Sequence, residues 1–154
     1  MTAMSATLLS VPTPVPAAAP ATDAPSLPPA GVDPTGLSAA VVGGAVVIDL
    51  RSAEERGAAG VLPGALAIDL ADVAERLDPA RPGRLRAAGT GADWVLVSGD
   101  GAAAADAARV LRARGLAGVR WLRGGFTALQ TVRATAAVSA ARHLQREAAA
   151  IAAH

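Results

Sequence analysis

Trp94-Val95-Leu96-Val97-Ser98-Gly99-Asp100-Gly101, running directly into Ala102-Ala103-Ala104-Ala105, decides how this chain is read. Four apolar residues in a row are the mark of a strand covered on both faces. Glycines then loosen the backbone, and the alanines that follow favour a helix. A buried strand that opens through such a loop onto a helix N-terminus gathers backbone N–H groups into one small space, where they bind an anion or hold a nucleophile. The side chain at the strand's end decides which, and here it is Ser98 in a chain of 154 residues with no cysteine.

Outward from this stretch the same alternation repeats. Ala45-Val46-Val47-Ile48-Asp49-Leu50 is a second continuous apolar run, and Ser52-Ala53-Glu54-Glu55 after it reads as an N-capped short helix. Val61-Leu62-Pro63-Gly64-Ala65 turns into a short strand at Leu66–Ile68, and a helix spans Asp72 to Leu77. The helix after Ser98 covers Ala102 to Arg114 and stops at Gly115. Val119–Leu122 is the last strand, and Gly124-Gly125 turns into a helix at Phe126–Leu129. Strands alternating with helices predict an α/β fold: a mostly parallel sheet of four to five strands with helices on both faces. Ligands in such sheets sit at the carboxyl ends of the strands, where Asp49 and Ser98 both lie.

Before this domain, residues 1–31 are a low-complexity Ala/Pro/Ser/Thr segment that predicts a disordered tail. The domain spans 32–130, its first helix starting at an Asp33 N-cap with Pro34 at the first helical position. Residues 131–154 form a C-terminal helical extension. Its weak apolar stripe of Val132, Ala136, Ala140, Leu144, Ala148 and Ile151 suits either a docking helix or one helical by propensity alone.

Composition narrows the function classes. Hydrophobic residues reach 52%, but aromatics are only 2%, so the core rests on Val, Leu, Ile and Ala, with Trp94, Trp121 and Phe126 as its large rings. Small side chains bury little area each, which predicts modest stability. All 14 basic residues are arginine, scattered among 13 acidic ones. That pattern offers no clustered cations for a nucleic-acid partner. The absence of cysteine excludes disulfides, thiolate chemistry and Cys-ligated metals, and no cofactor is expected. His143 and His154 lie in the extension, eleven residues apart, and make no metal site. No apolar run approaches the roughly 18–20 residues that cross a bilayer, so no membrane partner is expected. No basic residue precedes Arg51 as a signal peptide would require, and the expected location is the cytoplasm.

Four motifs in order resemble the rhodanese-like (sulfurtransferase-homology) domain. Ile48-Asp49-Leu50-Arg51 with Glu54-Glu55 resembles its first strand and Asp-x-Arg turn. Gly60-Val61-Leu62-Pro63-Gly64-Ala65 resembles its Gly-His-Ile-Pro-Gly-Ala turn, with Val61 in place of the histidine. Leu122-Arg123-Gly124-Gly125-Phe126 resembles its last turn, and Val97-Ser98-Gly99-Asp100-Gly101 stands where the family carries a Cys-x-x-Gly loop. The resemblance covers residues 33–130 and implies a rhodanese-like three-layer fold. In active members a thiolate on the loop cysteine takes up sulfur as a persulfide and passes it on. Ser98 holds that position, and a hydroxyl forms no persulfide. The late cationic position of the loop is held by Ala103 or Ala104.

The candidate site is therefore Ser98 at the family's cysteine position, the loop Gly99, Asp100, Gly101, Ala102, Ala103 and Ala104, and Asp49 with Arg51 on the neighbouring strand end. Asp100 is expected to cap the following helix through the N–H of Ala102 or Ala103, filling the anion site from within. Asp49 is expected to orient the Arg51 turn. Three functions stay open. One is a catalytically inactive homology domain that binds or regulates. Another is an enzyme of the same family, sulfurtransferase or phosphatase-like, acting on a small anion through the Ser98 loop. The third is a structural protein whose C-terminal helix meets a protein partner. A serine nucleophile would need a base, and neither histidine lies near the loop in sequence.

Overall fold

The computed structural model describes residues 30–89 and 91–152. Among the described residues five strands make one sheet: β1 (Gly31–Val32), β2 (Val46–Asp49), β3 (Leu66–Ala67), β4 (Trp94–Val97) and β5 (Val119–Leu122). Their order is β1-β5-β4-β2-β3, and every adjacent pair is parallel. The helices are α1 (Leu37–Val42), α2 (Ala53–Ala59), α3 (Val73–Leu77), α4 (Ala102–Ala113) and α5 (Gly125–Ala152), with a 3-10 turn at Pro34–Gly36.

The unbroken apolar run of β4 follows from its central place. All four of its residues are buried, and alternate side chains serve opposite faces. Trp94 and Leu96 pack with Ile48, Leu77, Ala104, Ala108 and Leu111 on the face covered by α3 and α4. Val95 and Val97 pack with Val32, Leu37, Val47, Leu122, Phe126 and Leu129 on the face covered by α1 and α5. On α4 the buried residues Ala104, Ala108 and Leu111 recur at helical spacing, and the two alanines let the helix lie close on the sheet. Trp94 is a core residue, 2% exposed; Trp121 is partly buried and packs against the same cluster.

Two elements differ from the sequence expectation. The short edge strand β1 carries too little apolar sequence to announce itself, and Gly31 pairs with Trp121 inside what reads as tail. The remainder of that tail, residues 1–29, lies outside the described residues, as does His154. Asp33 stands at the N-cap of the 3-10 turn but makes no side-chain cap; its carboxylate instead meets Arg123 Nη1 at 3.3 Å. The helix at Phe126–Leu129 and the extension are one 28-residue helix, because no glycine or proline interrupts it after Gly125.

Candidate functional site

Ser98, Asp49 and Arg51 meet at the carboxyl edge of β4 and β2. Parallel pairing places Asp49 beside Val97, one residue before Ser98. The loop from Ser98 to Gly101 is held by the turn that opens α5. Ser98 O accepts from Phe126 N–H at 2.9 Å, and Gly99 O accepts from both the N–H and the hydroxyl of Thr127 at 3.1 Å. This clamp demands glycine twice. A Cβ on Gly125 would stand 2.4 Å from Ser98 O, and one on Gly101 would stand 2.9 Å from Gly125 N. Both have positive φ, 59° and 92°, which side chains other than glycine's resist.

Inside the loop, the protein's own oxygens take the donors. Ser98 Oγ, 5% exposed as a residue, accepts from Gly101 N–H and Ala104 N–H, each at 3.2 Å. Asp100 Oδ1 accepts from Ala102 N–H at 2.9 Å. The N-cap itself is Gly101 in the left-handed region, so Asp100 acts one residue ahead of the expected cap position and closes an Asx-type turn. The N–H groups of Gly99, Asp100 and Ala103 take no part in these bonds.

Arg51 is buried in the turn that follows Asp49. Its side chain is 1% exposed and forks onto Asp49, with Nε to Oδ1 at 3.0 Å and Nη2 to Oδ2 at 2.8 Å. The Arg51 N–H also donates to Oδ1, so Asp49 orients both the turn and the guanidinium. Nη2 reaches the Gly60 carbonyl at 3.0 Å. Nη1 has no partner among the described residues, while the Phe126 ring lies under the guanidinium with its centroid 3.5 Å from Cζ. The electron-rich ring face offsets part of the cost of that unpaired donor. Arg123 points elsewhere, pairing with Asp33 over Gly31.

These groups border an open hollow of about 420 Å³ lined by Leu50, Arg51, Glu55, Leu70, Ser98, Gly99, Asp100 and Ala103. The arginine charge there is already matched by Asp49, and the remaining charged groups, Glu55 and Asp100, are carboxylates. Glu55 also closes a capping box with Ser52 at the start of α2. Gly101, Ala102 and Ala104 belong to the same loop and helix start but do not border the hollow. Sequence reasoning missed Phe126, Gly60, Glu55 and Leu70. The Asp49-x-Arg51 pair pointed to an ordered turn, but nothing local could name the ring or carbonyl that completes the site. Among the described residues no group of His, Asp or Glu side chains is arranged to hold a metal ion.

A rhodanese-like domain model matches residues 34–131. The chain belongs to the rhodanese-like family. Among solved structures it is similar to a protein of unknown function from Rhodopseudomonas palustris described as a possible tyrosine phosphatase. That match has 23% identity and a TM-score of 0.60, covering 67% of this chain and 80% of that one. It is also similar to the human single-domain sulfurtransferase TSTD1, at 26% identity and a TM-score of 0.52, over 66% of this chain and 95% of that one. The reduced CoADR-RHD protein of Bacillus anthracis matches at 25% identity and a TM-score of 0.55, over 67% of this chain and 17% of that one. None of the curated proteins matches. This rhodanese-like chain has no cysteine, and its cradle holds a serine hydroxyl.

Proposed function

We propose that this rhodanese-homology domain is catalytically inactive and acts as a binding or regulatory module in the cytoplasm, with α5 as its partner-binding helix. One observation carries the reading: Ser98 Oγ is itself the acceptor for two amides of the cradle. A hydroxyl cannot carry transferable sulfur, and one seated on two donors leaves those donors unavailable to an anionic donor molecule. The nearest cation, Arg51, is committed to Asp49, and two carboxylates face the hollow. Thiosulfate:cyanide sulfur transfer tests it. The chain should run at the rate of the protein-free control, and Ser98→Cys should stay there too, because Ala103 and Ala104 supply no cation to grip thiosulfate. Turnover by the natural chain would overturn the proposal. Turnover by Ser98→Cys alone would show that the thiol is the one missing part.

A second reading, an enzyme working on a small anion through the Ser98 loop, draws on the amides of Gly99, Asp100 and Ala103, which have no partner in the loop's bonding. Its histidine is misplaced for a base: His143 lies far along α5, where its Nε2 meets Glu147 at 3.0 Å. Among the described residues no histidine lies against Ser98.

A further inference from the structure

Beyond Val132 every described residue of α5 is exposed, and after Arg133, which borders a hollow with Leu37 and Leu62, the helix runs on for about nineteen residues, roughly 30 Å, with no buried face. Helices in proteins ordinarily owe most of their stability to the packing of one face. The stripe Val132, Ala136, Ala140, Leu144, Ala148 cannot supply it to a straight partner, because residues four apart drift steadily around the helix. A seven-residue frame does not drift in this way. Of the seven frames available to residues 133–152, one keeps every core position apolar: Ala134, Ala137, Ala141, Leu144, Ala148 and Ile151. Leu144 is 64% exposed and Ile151 77%, and Val138, at a flanking position, is 50% exposed. At the domain end this frame continues on Thr127 and Gln130, which are exposed beside the buried Phe126 and Leu129.

Charge selects the occupant. The flanking positions before each first core residue are Arg133, Ala140 and Glu147. In an antiparallel pair of identical helices these positions face one another, so with Ala140 at the centre Arg133 of one chain meets the partner's Glu147, twice. A parallel pair would set Arg133 against the partner's Val138 and Glu147 against the partner's Ala152, with no complementary charge. Arg142, His143 and Arg146 fall at outer positions in either case. Within the described residues Glu147 meets the exposed His143, a contact of little energy that an arginine can replace or share.

We propose that α5 pairs antiparallel with α5 of a second copy of this chain along the Ala134–Ile151 frame, locked in register by Arg133 and the partner's Glu147. The alanines allow the helix axes to approach to about 8 Å. In this register the partner's Ile151 comes level with Thr127 and Gln130, which hold the carbonyls of Gly99 and Ala59. This names the partner for the binding helix proposed above, and it does not depend on how the Ser98 loop behaves.

The mass of the full chain, followed by sedimentation equilibrium from about 10 μM to about 1 mM, tests the pairing. The expected result is a monomer–dimer equilibrium. Arg133→Glu or Glu147→Arg alone should weaken the dimer about tenfold, and the double exchange should restore it. Because the chain has no cysteine, Ala150→Cys gives a single spin-label site. Labels in an antiparallel pair lie about 30 Å or more apart, against less than about 20 Å in a parallel one. A monomer throughout the range, a short label distance, or a dimer indifferent to both charge reversals each overturns the proposal. Sulfur transfer is read separately, so failure of the dimer and failure of the inactive-domain reading are distinguishable.

Discussion

At Ser98 one oxygen atom decides the chemistry. It is placed where two amides converge, and the same placement that could lower the pKa of a thiol serves here only to satisfy Gly101 and Ala104. Asp100 continues this self-sufficiency by taking Ala102 N–H. Asp100→Ala should release that donor and remove a negative charge from the hollow, so sulfate should bind about tenfold more tightly by calorimetry; an unchanged affinity would mean that the carboxylate does not compete with anions. Ser98 and its loop could be read from the sequence because strand, glycine loop and alanine helix are contiguous. Arg51 could not. Its local neighbours Glu54 and Glu55 offer carboxylates, but burial selects Asp49 two residues back, and Phe126 closes the site from the far end of the domain.

Among the elements, the turn into α5 matters most to the loop, because it is the clamp that shapes it. Gly124-Gly125-Phe126 reads in sequence as a turn, but the reason for its second glycine lies across the fold at Ser98 O. Gly125→Ala should destabilise the domain by about 3 kcal/mol or more in chemical denaturation, since positive φ and a backbone collision add. Gly44→Ala, with positive φ but open space around its Cβ, should cost about 1 kcal/mol. Equal losses would show that the clamp is loose. Strands β2 and β4 were legible as the apolar runs that central strands need, and β5, interrupted by Arg120, as a short stretch before the Gly124-Gly125 turn. The edge strand β1 was not, since two residues carry no periodicity and gain their pairing only when β5 lies beside them.

The molecule as a whole divides at about Val132, in the middle of a helix. Phe126 and Leu129 belong to the core cluster under α1, while the residues that follow touch no other element closely enough to be buried. A chain ending after Val132 should therefore unfold with the same free energy as the full chain, within about 1 kcal/mol, when both are compared at concentrations where the full chain is monomeric. A larger loss would mean that the extension packs on the domain. No described helix is long and apolar enough to cross a membrane. By itself the sequence determined that this chain forms no persulfide, since that chemistry needs a thiol and the chain has no cysteine. It also determined the alternation of strands and helices, because hydrophobic periodicity is local. Only the tertiary structure decided that the cradle closes on Ser98 and Asp100, that Arg51 is buried on Asp49 and Phe126, and that the loop is clamped by Gly125. Those outcomes depend on which distant segments the sheet order brings together, and burial assigns partners that spacing along the chain does not.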